Sequence, residues 1–268
     1  MSRAFRILLS HLAGWLADRR VPGPLRHLVY GTYCRITGAD PALAQLGLEH
    51  YPSLGAFFVR RLREGARPLD PDPGSLISPC DGLIQAAQTI VQGSLLQAKG
   101  REYALGALLG GLADEETRAQ ALEGGQAWTI YLSPRDYHRV HTPLGGRLTR
   151  VAWIPGDRFS VAPKVLARRP GVLAGNERAV LELESELGTY YLVMVGALSV
   201  GRIRVVGVAP GESSAPRGAL RFERGDELAR FELGSTVVLV FPRGMVLPEV
   251  SQVGTTLELG QRLGRLEK

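Results

Sequence analysis

Apolar positions recur at helical spacing over the first fifth of the chain, and crowd into short dense runs further on. Phe5, Leu8, Leu9, Leu12, Trp15 and Leu16 fall at i, i+3, i+4, i+7, i+10 and i+11, the stripe of a one-faced helix. Arg3, Arg6, Arg19 and Arg20 flank the stripe, and Pro22-Gly23-Pro24 ends it. A second helix is predicted over "LRHLVYGTYCRITG", with Gly38 as its stop. Asp40-Pro41 has the form of an N-cap followed by proline at the first helical position. Ser53 can cap another helix through "LGAFFVRRLREG", with Phe57, Phe58 and Leu62 on one face and Arg60, Arg61 and Arg63 close by. Such helices either pack on a core or lie on an anionic lipid surface, where apolar burial adds to basic attraction. The stripe by itself permits both.

The texture changes at "GARPLDPDPG", whose Pro, Asp and Gly mark a linker or turn. Beyond it come the β-like runs "LIQAAQTIV", "AWTIYLS", "RLTRVAWIP", "RAVLELES", "TYYLVMVGALSVG", "IRVVGVA" and "STVVLVF". Turn signals separate them, among them Gly82, Gly145-Gly146, Pro155-Gly156 and Pro242-Arg243-Gly244. Short helices fit "EYALGALLGG" and "DEETRAQALEGG". The predicted class is α+β: N-terminal amphipathic helices over residues 1–70, then a mainly antiparallel β sandwich or barrel-like core over residues 71–268. Neither an internal repeat nor a phosphate-binding glycine loop stands out.

Composition narrows the partners only slightly. The chain has 268 residues, 45% of them apolar, and a formal net charge of +6. That charge suits nucleic acid, an anionic membrane surface or acidic small molecules. Cys34 and Cys80 are the only cysteines, too few for a disulfide framework or a thiolate zinc site, and they suit a reducing compartment. A transmembrane helix is not expected without about 18 consecutive apolar residues. The basic start before "ILLSHLAGWLA" imitates a signal peptide, but Ser10 and His11 interrupt it and no small-residue cleavage site follows. Secretion is not expected.

Three places can carry chemistry. Asp81 lies in "SPCDGLI", where Asp-Gly taken alone is an ordinary turn dipeptide. Asp136, His138 and His141 lie in "SPRDYHRVHTP". A metal pair is conceivable there, but neither a thiolate cluster nor an HExxH arrangement completes it, so no metal is expected. Residues three apart on a regular strand face opposite sides, so both histidines can share a pocket only if this segment bends. Gly234-Ser235-Thr236 interrupts the apolar run "RFELGSTVVLVF". Glycine in a strand usually marks a bulge or a close backbone approach, and a buried hydroxyl needs a partner or costs free energy. Alternatively, Ser235 attacks the Gly234 carbonyl, which no side chain shields. A serine nucleophile needs a base, and the base needs an orienting group. His141 and Asp81 are the candidates.

In this order and spacing the three motifs resemble those of phosphatidylserine decarboxylase, the bacterial pyruvoyl-dependent membrane family. The likeness runs from "FFVRRLREGARPLD" through "SPCDGLI", "LLQAKGREYALGALLG", "YLSPRDYHRVHTP" and "PGDRFSV" to "NER", "MVGALSVGRI" and "FELGSTVVLVF". It implies self-cleavage between Gly234 and Ser235 into a large chain, 1–234, and a small chain, 235–268, with a pyruvoyl group at position 235. It implies His141 and Asp81 for processing, and His138 for the decarboxylation step. The implied reaction converts phosphatidylserine to phosphatidylethanolamine and carbon dioxide through a Schiff base. The implied setting is peripheral, on the cytoplasmic side of the inner membrane. The partners are then membrane phosphatidylserine and the two chains of one precursor, with room for a homodimer and no role for nucleic acid.

Two positions depart from the pattern. Ala162 stands where relatives are expected to have asparagine, and Val172-Leu173-Ala174-Gly175 lacks an aromatic residue before Asn176. Both departures bear on the substrate pocket or a neighbouring loop rather than on processing. Two other classes compete with the resemblance. A pyruvoyl enzyme acting on a soluble amino acid would share the self-cleavage but leave the basic amphipathic start unexplained. A non-catalytic carrier domain fits the glycine-spaced "VSQVGTTLELGQRLGRLE", which has no lysine to accept a cofactor.

Overall fold

A computed structural model describes residues 2–98, 101–110, 112, 120–197, 202–209, 211, 220–232 and 235–267. Helix α1 spans Arg3–Ala17 and α2 spans Gly23–Thr37. Helix α1 is capped by the Ser2 hydroxyl. Helix α2 ends at Gly38, whose φ of 80° is a left-handed cap that costs glycine little. Helix α3 is short, Leu54–Phe58, with the Ser53 side chain accepting the Ala56 N–H.

The strands begin after the Pro/Asp/Gly cluster. They are β1 Ser75–Ile77, β2 Gly82–Thr89, β3 Ser94–Ala98 and β4 Arg101–Ala104, followed by helix α4 Leu105–Leu109. Next come β5 Gln126–Leu132, β6 Arg139–His141, β7 Gly146–Ile154, β8 Arg178–Ser185 and β9 Gly188–Gly196. The remainder are β10 Ile203–Val205, β11 Leu220–Phe222, β12 Glu227–Phe231, β13 Ser235–Phe241, β14 Val246–Pro248, β15 Thr256–Leu257 and β16 Arg262–Leu266. The main sheet has the order β11-β7-β8-β9-β13-β5-β2-β15, with antiparallel pairing throughout. Two three-stranded sheets, β1-β16-β14 and β10-β12-β6, and the β3-β4 pair complete the β-rich part among the described residues.

Strand β13 lies near the middle of the main sheet, and every residue in it is buried. Its alternate positions enter different cores, as strand geometry requires. Val237, Leu239 and Phe241 join a cluster with Leu76, Val140, Ile203, Leu228 and Leu263 of the small sheets. Val238 and Val240 join Leu95, Leu105, Leu109, Leu166 and Leu173 on the other face. A strand covered on both faces reads as a continuous apolar run rather than an alternating one. Ser235 has the parity of Val237, so its Cβ points toward the small sheets.

The expected α+β class holds, helices first and then a mainly antiparallel β-rich core, and the main sheet is open among the described residues, with β11 and β15 at its edges. Three sequence expectations need correction. The helix expected through "LGAFFVRRLREG" stops at Phe58 because the chain beyond finds other backbone partners. Gln45 N–H donates to the Arg61 carbonyl and Arg63 N–H to that of Leu43. The first part of "EYALGALLGG" is strand β4, paired with β3. Asp40-Pro41 caps only a single 3-10 turn, Pro41–Leu43. The helix expected over "DEETRAQALEGG" falls mostly outside the described residues, as does the "LSVG" end of the run predicted to follow β9.

Helix α1 settles which way its stripe faces. Phe5, Leu8, Leu12, Trp15 and Leu16 are all exposed, about half or more of each side chain, while Arg6, Ser10, Gly14 and Ala17 are buried. The Arg6 guanidinium pairs with Asp157 and lies 3.7 Å from the Phe159 ring centre. The helix docks by its small and polar side, so the apolar stripe does not pack on the core. Helix α2 adds exposed Leu25, Leu28, Val29 and Ile36.

Candidate functional site

Ser235 opens β13 between two partners, Leu132 of β5 and Gly196 of β9. Its side chain is fully buried, and its Oγ has no hydrogen-bond partner among the described residues. The neighbouring Thr236 hydroxyl is in the same condition. A buried hydroxyl left without a partner costs about 1–3 kcal/mol, a cost that packing gives no reason to carry. Gly234 lies outside the described residues.

The "SPRDYH" segment runs from β5 to β6 past this point, and it bends as two histidines in one region require. Asp136 Oδ2 accepts both the backbone N–H and the hydroxyl of Ser133, at 2.7 Å each, which closes the turn. His138 follows, and its carbonyl accepts the Phe231 N–H at the end of β12. Phe231 is therefore held at His138 and Ser235 at Leu132.

His138 is fully buried, with its ring centroid 4.0 Å from that of Phe58. Nδ1 lies 2.8 Å from the Asp136 carbonyl, so Nδ1 carries the proton and Nε2 the lone pair. Nε2 has no partner among the described residues. Burial pushes this imidazole down to about 3, with Arg60 adding in the same direction and the Asp136 hydrogen bond opposing. His138 is neutral throughout the physiological range.

His141 occupies different surroundings. Its Nδ1–H donates to the Gly225 carbonyl at 2.7 Å, and Nε2 accepts the Tyr137 hydroxyl at 3.2 Å. Burial is the main cause lowering its pKa, so it too is neutral at pH 7. It lines a cleft of about 360 Å³ with Arg61, Arg63, Arg67, Tyr137 and Glu227.

Asp81 sits immediately before β2, where a Cβ on Gly82 would lie 2.7 Å from the Tyr131 carbonyl, so only glycine lets the strands meet there. The Asp81 carboxylate accepts both Arg67 Nε and Nη2 at 2.9 Å, and its Oδ1 also accepts the Leu259 N–H at 2.8 Å. Such a forked pair is geometrically specific. Only the backbones link this segment to His141, whose N–H donates to the Pro79 carbonyl at 2.8 Å. The Asp81 carboxylate and the His141 ring each have other partners and make no hydrogen bond to one another. The structure therefore gathers Ser235, His138, His141 and Asp81 at one end of β2, β5 and β13, without placing them in a single hydrogen-bonded chain.

Arg67 is the residue the motifs did not flag. Its signal was available in "GARPLD", an arginine at the start of the linker, but nothing in sequence tied it to Asp81. Asn176 is another: it is fully buried and binds the Phe159 loop and the Gly196 carbonyl, opposite Ser235, through its side chain.

Residues 54–265 match the family model described as phosphatidylserine decarboxylase. The chain is 39% identical to the phosphatidylserine decarboxylase proenzyme of Marinobacter nauticus, over 97% of this chain and 94% of that one. It is 45% identical to the protein of the same name from Halorhodospira halophila, over 81% and 76% respectively. The Myxococcus xanthus proenzyme is 37% identical over 96% and 93%. The class is that of decarboxylases made as proenzymes. The chain belongs to the phosphatidylserine decarboxylase family.

Proposed function

We propose that this chain cuts itself between Gly234 and Ser235 and then converts phosphatidylserine to phosphatidylethanolamine and carbon dioxide. The observation that carries the reading is the Ser235 hydroxyl: buried, without a partner among the described residues, first on a central strand, and on the face toward the sheet that contains β6. In the processing step, His141 takes the hydroxyl proton as Oγ adds to the Gly234 carbonyl, and the peptide C–N bond breaks to leave an ester. Loss of the Ser235 α-proton and the C–O bond then parts the chains. Water replaces the resulting enamine nitrogen, releasing ammonia and leaving a pyruvoyl group on residue 235. That group fits the site, because the start of β13 is enclosed and His138 stands close along the chain path. When formed, it supplies an electron sink that no side chain offers.

The residues of the chain have separable tasks. Asp81, fixed by Arg67 and the Leu259 N–H, holds negative charge beside the processing segment. His138, with Nδ1 tied to Asp136, presents Nε2 for proton transfer at the substrate α-carbon. One observation favours an exchange of roles between the histidines: among the described residues Nε2 has no partner in His138 and is already occupied in His141.

To test the substrate, serine labelled at its carboxyl carbon is supplied free and within phosphatidylserine in mixed micelles. Label is expected in carbon dioxide from the lipid at a far higher rate than from free serine, since lipid contacts remote from the reaction supply binding energy. Release from serine alone would instead make this an enzyme of soluble amino acids.

Attachment is assigned to the exposed stripe of α1, lying peripherally on the cytoplasmic face of the inner membrane. Among the described residues no helix is long and apolar enough to cross a bilayer. Leu12→Asp and Trp15→Asp each place a charge on the exposed stripe and are expected to lower binding to anionic vesicles at least about tenfold. Raising salt is expected to weaken wild-type binding by screening the arginines. Undiminished binding by the two variants, followed by co-sedimentation, would move attachment to another surface.

A further inference from the structure

Among the described residues four arginines are buried, and three of them are well provided for. Arg6 pairs with Asp157, Arg158 with Glu177, and Arg178 donates to the carbonyls of Ala107, Leu108, Ala174 and Asn176. The fourth, Arg60, is 3% exposed. Its Nη2 donates to the Arg135 carbonyl at 3.1 Å, while Nε and Nη1 have no partner among the described residues. A Phe57 ring 5.0 Å away gives it some cation–π contact, but no described carboxylate stands within ion-pair reach. A buried cation is normally paired, because desolvating it alone is costly.

The position of this guanidinium is informative. Arg60 and His138 hang from successive carbonyls of one loop, those of Arg135 and Asp136. The Phe58–Arg60 segment lies along that loop, with Phe58 on the His138 ring and the Val59 carbonyl accepting Arg139 Nε at 2.9 Å. Two unfilled donors and one unfilled lone pair thus belong to neighbouring side chains, beside a reacting strand.

We propose that Arg60 is the binding residue for the headgroup phosphodiester, and that this contact holds the substrate α-carbon against His138. The inference rests on the reading of His138 given above. Phosphatidylserine offers two anions, and the chemistry chooses between them. Its carboxylate loses its charge as carbon dioxide departs, so an arginine on it would stabilise the reactant more than the transition state. The phosphodiester keeps its charge throughout, and gripping it costs the reaction nothing. An anion at Arg60 also offsets the smaller of the two influences that lower the His138 pKa, burial being the larger.

The test compares mature wild type with Arg60→Met and Arg60→Lys. Self-cleavage, melting temperature, KM and kcat for phosphatidylserine are measured. Inhibition constants are measured for glycerophosphoethanolamine, which has the phosphodiester without the carboxylate, and for serine, which has the reverse. Arg60→Met is expected to mature and to melt no lower than wild type, since an unpaired buried charge has gone. Its KM and its inhibition constant for glycerophosphoethanolamine are expected to rise at least about tenfold, the worth of a charge-assisted hydrogen bond. Serine inhibition is expected to stay unchanged, and Arg60→Lys to fall between. A lower melting temperature with unchanged KM and inhibition would make Arg60 a structural residue and overturn the proposal. Weakened serine inhibition with normal phosphodiester inhibition would overturn it in favour of the carboxylate. Should Arg60→Met fail to fold, wild-type constants in Arg60→Lys would overturn it equally. If wild type releases no carbon dioxide from the lipid yet binds glycerophosphoethanolamine through Arg60, the anion site stands and the decarboxylase reading falls.

Discussion

A Ser235→Ala chain is expected to remain in one piece and to decarboxylate at background, a loss of at least about 10⁴ by comparison with removal of a serine nucleophile elsewhere. The substitution removes the atom proposed to attack the Gly234 carbonyl, and with it the proposed source of a pyruvoyl group. It should do so without harming the fold. The Ser235 hydroxyl is buried and has no partner among the described residues, so replacing it by a methyl hydrogen breaks no described hydrogen bond. Alanine also fits a position enclosed between β5 and β9. The variant is therefore expected to melt at or above the temperature of an uncut wild-type chain. Gel analysis and calorimetry check both halves. A Ser235→Ala chain still cut at that bond would exclude the serine as nucleophile.

The second large effect divides the histidines. His141→Ala is expected to leave the chain uncut, whereas His138→Ala is expected to mature and then decarboxylate at least about 10²-fold more slowly, the usual worth of a general acid or base. Asp81→Asn is expected to slow maturation severely, by up to about 10⁴ on the precedent of an orienting aspartate. In this protein the loss would act through the Arg67 fork and the Leu259 contact, since Asp81 makes no hydrogen bond to His141. The pH dependence carries a sign. Burial lowers the pKa of both rings, so each keeps its lone pair to lower pH than an ordinary histidine. The self-cleavage rate should therefore fall less between pH 8 and 6 than the roughly three-quarters loss expected of an unshifted histidine base. Pulse-labelled precursor, followed by gel across that range, gives the rate. An uncut His138→Ala beside a normally cut His141→Ala would exchange the roles, and the unpartnered Nε2 of His138 would be the reason.

Much of this was legible because patterns of period two and 3.6 survive in the chain. The runs around residues 83–91, 127–133, 147–155, 178–185 and 235–241 became β2, β5, β7, β8 and β13 with small changes at their ends. The Gly-Ser break in the last run was legible as an anomaly, since packing does not call for hydroxyls there. What sequence could not supply was direction and pairing. The α1 stripe has the same spacing whether it faces a core or a lipid, and only the docking of Arg6 on Asp157 and Phe159 turns it outward. The Arg67–Asp81 fork joins positions whose spacing predicts no contact. Arg60 was hidden within "VRRLR", a run of charges that ordinarily reads as a solvated face. Its burial follows from the end of α3 at Phe58, where local propensity gave way to backbone pairing between residues 43–45 and 61–63.

The intact-mass spectrum of the purified protein tests the central claim most directly, because it reports the cut and its chemistry together. Two species are expected: residues 1–234, and residues 235–268 with a pyruvoyl end in place of the serine. The smaller species should resist sequencing from its N-terminus until hydroxylamine or borohydride has reacted with its carbonyl. A single full-length mass would contradict the account, as would a small chain that begins with an unmodified serine.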